Sequence, residues 1–308
     1  MSVPAWPFGT WPPDGIERLG PHVLAYYPDG LPLANSAIVL GREAALVFDA
    51  NIFHYASELK ALLDERWPRG PAHLVLSHSH TDHVDGSMYF SGAETWATDW
   101  ARRRLAWWRG QDLSERYVEQ AEGHPEAQEW YEEEFRLVVP EHGIEEPTTI
   151  DLGGGVEVLL RPEVPAHTPG DLWARVEPDG VVLCGDLWFH DCEPWLGLGA
   201  LDGSLEVLGR LFAADGVSYL PGHGRAGRLT NEDKMLHYIE WIREHVRMGM
   251  DSGLTGTALA ARLREEFERQ PPVRFALPIE GFLEDTVGGA EEAACGRPRW
   301  VGLPLANP

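Results

Sequence analysis

The chain has 308 residues, 44% of them hydrophobic and 24% charged, which suits a globular protein with a large buried core. Lys and Arg number 25 against 49 Asp and Glu, and the resulting formal net charge of -24 repels a phosphate backbone or an anionic membrane face, so neither nucleic acid nor a membrane is an expected partner. The start of the chain lacks a basic, apolar leader, no apolar run is long enough to span a bilayer, and Cys184, Cys192 and Cys295 form no Cys-x-x-Cys pair; a reducing cytoplasm is the expected compartment.

From Pro4 to Pro21 the sequence is rich in turn formers and predicts a surface wrap. His22 to Tyr27, Ala37 to Leu40 and Ala44 to Phe48 predict strands of an antiparallel meander, punctuated by Pro28-Asp29-Gly30 and Gly41-Arg42-Glu43. Asp49 follows at the last strand end. Leu59, Leu62 and Leu63 at helical spacing predict a helix over 56–66, stopped by Pro68 and Gly70. The buried strand His73 to Ser77 then runs into Ser77-His78-Ser79-His80-Thr81-Asp82-His83-Val84-Asp85-Gly86. Further on, Asp99 to Trp108 and Leu113 to Leu137 predict helices, the second interrupted at Gly123-His124-Pro125. Strands resume at Thr149 to Leu152, Val156 to Leu160, Leu172 to Val176 and Val181 to Cys184. Ser204 to Phe212 predicts a helix and Val217 to Leu220 a strand. Asn231 to Met248 and Thr257 to Gln270 predict two amphipathic helices, before a proline- and glycine-rich tail from Pro271. Leu236, Ile239, Ile242 and Val246 on the first of these two helices fit a core face, with a homodimer seam as the alternative.

The chemistry concentrates where strands end. His78, His80, Asp82 and His83 bring imidazoles and a carboxylate together, the donors of borderline divalent ions, zinc above all. A chain of this composition matches that pattern by accident about once in a thousand, so a metal loop is favoured over a polar turn. Local extension would place His78, His80 and Asp82 on one face and turn His83 toward a second ion. Later strand ends carry more such groups: His167 between Pro165 and Pro169, Asp186 after Gly185, and His223 between Gly222 and Gly224. Asp49 reads either as an Asx turn or as a hydrogen-bond partner of the metal loop.

Asp49, the His78-x-His80-x-Asp82-His83 run, His167, Asp186 and His223 resemble the ordered motifs of the metallo-β-lactamase superfamily, spread over most of residues 22–224. The resemblance implies an α+β fold, a four-layer αββα sandwich with the metal site at one edge of two sheets. It implies one ion held by His78, His80 and His167, a second held by Asp82, His83 and His223, Asp186 bridging them, and Asp49 orienting the loop. The whole chain, 1–308, is expected to be one such domain. Its core is expected over 22–230, a helical insertion over about 97–147, and a C-terminal helical segment over 231–308.

Two divalent ions roughly 3.5 to 4 Å apart share a water and bring its pKa from 15.7 toward about 7, so the expected reaction is hydrolysis by a metal-bridging hydroxide. Zn2+, two per chain, is the expected cofactor, with Fe or Mn as substitutes. The resemblance makes Asp186 the bridging carboxylate, and Asp82 or a water is the expected proton shuttle. The substrate is expected to be a small molecule such as an ester, lactone or thioester, selected by the Trp-rich insertion and by Trp188, Phe189, His190 and Asp191 just past Asp186. The alternatives are an iron-dependent oxidoreductase like the persulfide dioxygenases, or a hydrolytic dehalogenase of aromatic substrates.

Overall fold

Val23, Ala25, Val39 and Phe48 lie on one side of their strands and Leu24, Tyr26, Ile38 and Val47 on the other, and both sets are buried. The two-residue period of a pleated strand thus divides one apolar run between two separate cores, which only a sheet covered on both faces allows. A computed structural model describes residues 15–28, 34–70, 72–113, 125–198, 200–230, 232–276, 278–279 and 281–306.

The first sheet has seven strands in sequence order: β1 (Ile16–Arg18), β2 (Val23–Tyr26), β3 (Ser36–Leu40), β4 (Ala45–Phe48), β5 (His73–Val75), β6 (Glu94–Thr98) and β7 (His142–Ile144). The expected meander is β2 to β4, antiparallel throughout; β4 to β7 then pair in parallel. The second sheet has five strands, β8 (Thr148–Asp151), β9 (Glu157–Pro162), β10 (Leu172–Glu177), β11 (Val181–His190) and β12 (Ser218–Gly224), with only β11 and β12 parallel.

Val23, Val39 and Phe48 of the first sheet meet Val158, Ala174 and Leu183 of the second in the central core. Helices α1 (Phe53–Arg66) and α3 (Asp99–Arg109) cover the outer face of the first sheet through Leu59, Leu63 and Leu105. The single-turn helix α2 (Thr81–Val84) lies between them in sequence. On the outer face of the second sheet lie α5 (Leu201–Ala213), α6 (Lys234–Asp251), α7 (Gly256–Arg269) and α8 (Phe282–Ala294). Ile239, Ile242 and Val246 of α6 are buried in that layer, so they are core of this chain. The order is helix, sheet, sheet, helix, the expected four layers. Among the described residues no helix is long and apolar enough to cross a membrane.

Three expectations change. The span 97–147 begins inside β6 and closes just beyond β7, so it takes in part of β6 and all of β7, and 99–141 is what lies between these two strands of the first sheet. Within that span, α4 (Pro125–Glu133) and its neighbours seat Trp130, Tyr131 and Phe135 against Ile52, while the expected helix before Gly123 falls largely outside the described residues. The tail from Pro271 contains α8, whose Leu283 and Val287 complete the outer core; Gly288 and Gly289 in its middle hid it from a propensity argument. Most of the surface wrap from Pro4 lies outside the described residues, and its described end supplies edge strand β1.

Candidate metal centre

All seven expected ligands converge: His78, His80, Asp82 and His83 after β5, His167 in the turn between β9 and β10, Asp186 within β11 and His223 near the end of β12. His78 and His80 sit on the loop after β5. There the chain does not stay extended: α2 begins at Thr81 and turns Asp82 away from His78 and His80, which corrects the expectation from simple alternation. Asp82 instead joins His83 and His223, while His78, His80, His167 and Asp186 form the second group, its ligand atoms all within 4.8 Å of one another.

Asp186 stands between the two. Its Oδ2 lies 3.2 Å from His167 Nε2 and 3.8 Å from His78 Nε2, whereas its Oδ1 lies 3.1 Å from His83 Nε2 and 3.4 Å from His223 Nε2. Asp82 Oδ2 is 3.4 Å from His223 Nε2 and 3.7 Å from His83 Nε2. Backbone geometry makes room for this carboxylate. Gly185, at φ +54, has Ser77 2.5 Å from where a Cβ would stand, and a Cβ on Gly222 would sit 1.8 Å from Asp186 Oδ1.

The outer nitrogens of His78, His83 and His167 have hydrogen-bond partners, which leaves their inner ones facing the centre. Asp49 is buried at φ +60 and accepts from Ser77 N at 2.7 Å, from Ser77 Oγ at 2.8 Å and from His83 Nδ1 at 2.8 Å. Asp49 thus ties together Ser77 and His83 at the two ends of this loop. Ser77 Oγ also lies 2.9 Å from His78 Nδ1, and the Trp195 carbonyl accepts from His167 Nδ1 at 3.1 Å.

Burial pushes His78 well down, helped by His83 and His80, and pushes His167 down to about 3. Burial opposes the proton on His83 and His223 too, but the Asp186 and Asp82 carboxylates hold both up. Burial likewise opposes the charge on Asp186, which His223, His83 and His167 nonetheless hold well below the usual carboxylate range. Neutral imidazoles on one side of an ionised carboxylate are donors ready for a cation.

The residues fit such a cation. His78 Nε2, His83 Nε2 and Asp186 Oδ1 are buried without a hydrogen bond of normal geometry, and His80 Nδ1 faces His167 Nε2 at 2.9 Å. Inward-facing lone pairs at these distances repel unless protons or cations lie between them.

Trp188 and His190 do not line this centre. Trp188 is buried in the outer core, donates its indole N–H to Asp233 at 2.9 Å and stacks on His190, whose Nδ1 bonds the Arg225 carbonyl at 2.6 Å. The pairing of β11 with β12 shifts register between Gly185 and Phe189, and of the four residues expected near the pocket Phe189 stacks on His223 at 5.0 Å. Sequence reasoning also missed Asp171, Asn35 and Trp195. Buried Asp171 accepts from Thr168 N at 2.8 Å and Thr168 Oγ at 2.5 Å, fixing the turn that carries His167, and burial pushes its carboxyl up to about 8. Asn35 donates to the carbonyls of Pro221 and Gly224 on either side of His223. The Thr168-Pro-Gly-Asp171 spacing is a turn signal that pointed to Asp171; nothing local marks Asn35 or Trp195.

Comparison with known proteins gives the same fold. The stereoselective inverting sec-alkylsulfatase Pisa1 from Pseudomonas sp. superposes with a TM-score of 0.61 at 16% identity, covering 92% of this chain; the chain spans 50% of that protein's length. A metallo-beta-lactamase family protein from Thermus thermophilus gives 0.59 at 18% identity over 91% of this chain and 95% of its own. A metallo-beta-lactamase from Pontibacter korlensis gives 0.52 at 15% identity over 70% and 93%. No curated protein matches the sequence. The sequence profile of the metallo-beta-lactamase superfamily matches residues 30–223, a stretch that holds every residue of the centre described above, and the chain belongs to that superfamily.

Proposed function

We propose that the chain is a metal-dependent hydrolase whose centre holds two divalent cations, zinc foremost, and that it cleaves an ester, lactone, thioester or similar bond in a small molecule. The observation that carries this reading is Asp186, with one oxygen toward His78 and His167 and the other toward His83 and His223. His78, His80 and His167 would hold one cation, Asp82, His83 and His223 the other, and Asp186 would serve both. Such a pair supplies Lewis acidity toward the scissile group and a water that ionises near neutral pH. Asp82 has the more exposed carboxylate of the two, with 22% of its side chain open, and is the group placed to pass a proton to solvent. Phe189 against His223 and Trp195 against His80 and His167 give the centre apolar walls, which suit an uncharged acyl or aromatic portion of the substrate.

Metal analysis of the purified chain, followed by a panel of esters, lactones, thioesters, phosphodiesters, secondary alkyl sulfates and chlorinated aromatics, tests this reading. Zinc near two per chain with turnover on one class is expected. Alanine at His83 or asparagine at Asp186 should lower metal content and turnover together. Iron near one per chain with oxygen uptake would instead make the chain an oxidoreductase. Full activity in a variant holding a single ion would remove the dinuclear assignment.

A further inference from the structure

Residues 191–198 join β11 to α5 without helix or extended pairing of their own, yet they touch the centre. Trp195 accepts from His167 Nδ1 through its carbonyl and sets its indole edge-on to His80 at 5.4 Å and to His167 at 5.7 Å. A carbonyl on an irregular segment is only as well placed as that segment's other tethers. Those tethers come from the far end of the chain. Trp195 Nε1 donates to Asp285 Oδ2 at 2.6 Å, Leu196 N donates to Thr286 Oγ1 at 3.2 Å, and Arg299 Nη1 donates to the Gly197 carbonyl at 3.1 Å. Arg299 also bonds Asp285 Oδ1, so both oxygens of Asp285 are engaged. Next to Trp195, Glu193 accepts from Tyr238 Oη at 2.9 Å and Ile279 N at 3.0 Å. The fit is close: a Cβ on Gly197 would come 2.2 Å from Asp285 Oδ2.

We propose that α8 and the segment after it clamp one half of the metal centre: Asp285, held by Arg299, fixes Trp195, and Trp195 fixes the ring of His167 and packs against that of His80. The reasoning is tautomeric as well as steric. For His167 to present a bare Nε2 toward Asp186, its proton must sit on Nδ1, and the Trp195 carbonyl is the acceptor that keeps it there. The other half is supported differently, His83 by Asp49 and the turn carrying His223 by Asn35. Asp285, Arg299 and Trp195 are positioning residues on this account, and they act on one cation of the two. The inference rests on the reading that the centre holds two cations.

Zinc titration of metal-stripped protein against a competing chelator, with the visible spectrum of the cobalt-loaded protein as a second readout, tests the clamp. Asp285→Asn and Trp195→Phe, each folded by circular dichroism, should weaken one zinc about 10- to 100-fold, the range for losing an outer-shell partner, and leave the other within about twofold. The cobalt spectrum should change for that same site. In a double-mutant cycle, Asp285→Asn should have a smaller effect once His167 is alanine, what remains acting through the contact of Trp195 with His80. Glu284→Gln is the control, because it breaks the Arg264 contact on the same helix without reaching Trp195; it should lower the melting temperature and leave both zinc affinities unchanged. The clamp is overturned if Asp285→Asn and Trp195→Phe leave both affinities unchanged, if both sites weaken equally, or if Glu284→Gln weakens zinc as much as Asp285→Asn does. A wild-type chain that binds a single zinc refutes the dinuclear reading instead. The clamp is then judged on that ion: weaker binding in Asp285→Asn supports it and unchanged binding overturns it.

Discussion

Asp49→Asn isolates the contribution of one buried charge to both stability and metal affinity. Asparagine is nearly isosteric and tolerates the left-handed backbone that Asp49 adopts at φ +60, so the loop need not move. An amide nitrogen in the place of Oδ2 faces two donors, Ser77 Oγ and His83 Nδ1, each now 2.8 Å away, while the remaining oxygen keeps Ser77 N. Hydrogen bonds to a charged group contribute about 1.5–3 kcal/mol each, so losing two costs about 3–6 kcal/mol before relaxation. Rotation of the Ser77 hydroxyl and a shift of the His83 proton to Nε2 recover part of this, leaving about 2–4 kcal/mol. That proton shift has a second effect, because Nε2 is the His83 atom that faces Asp186. Zinc affinity should therefore fall about 10- to 100-fold at the site of His83. Urea unfolding of the metal-free chain gives the first quantity and chelator competition the second. A loss under about 1 kcal/mol together with unchanged zinc binding would refute the role assigned to Asp49.

Gly222→Ala places a Cβ 1.8 Å from Asp186 Oδ1 and 2.8 Å from the Gly185 carbonyl carbon, so the bridging carboxylate must move; metal analysis should find at most one tightly held zinc, and two would show that the strand ends yield easily. Trp188→Phe removes the indole hydrogen bond to Asp233 and leaves an aromatic in the core, at a cost of about 1 kcal/mol in chemical denaturation. Zinc stoichiometry and turnover should not change in that variant, and a large fall in turnover at normal metal content would return Trp188 to the substrate site.

The candidate ligands were legible in the sequence because donor type is a local property. Imidazole and carboxylate groups at strand ends announce a divalent cation wherever they meet, and five histidines and two aspartates in strand-end contexts left little else to explain them. Most strands and helices were legible for a similar reason, since apolar periodicity records which faces are covered. Facing was not legible, because it depends on partners far away in the chain. A register shift in β11 turns Trp188 into the core and Phe189 onto His223, and a single helical turn moves Asp82 to the other half of the centre. Strands β6 and β7 pair beside β5 although their short sequences carry little periodicity, and α8 forms across two adjacent glycines because the outer core needs Leu283 and Val287. The sequence alone named the seven candidate ligands and, through the resemblance, their division into two groups, whereas only tertiary structure decided that Trp195 and Asp285, absent from every local motif, reach His167 through the Trp195 carbonyl and indole, because those contacts join segments far apart in the chain.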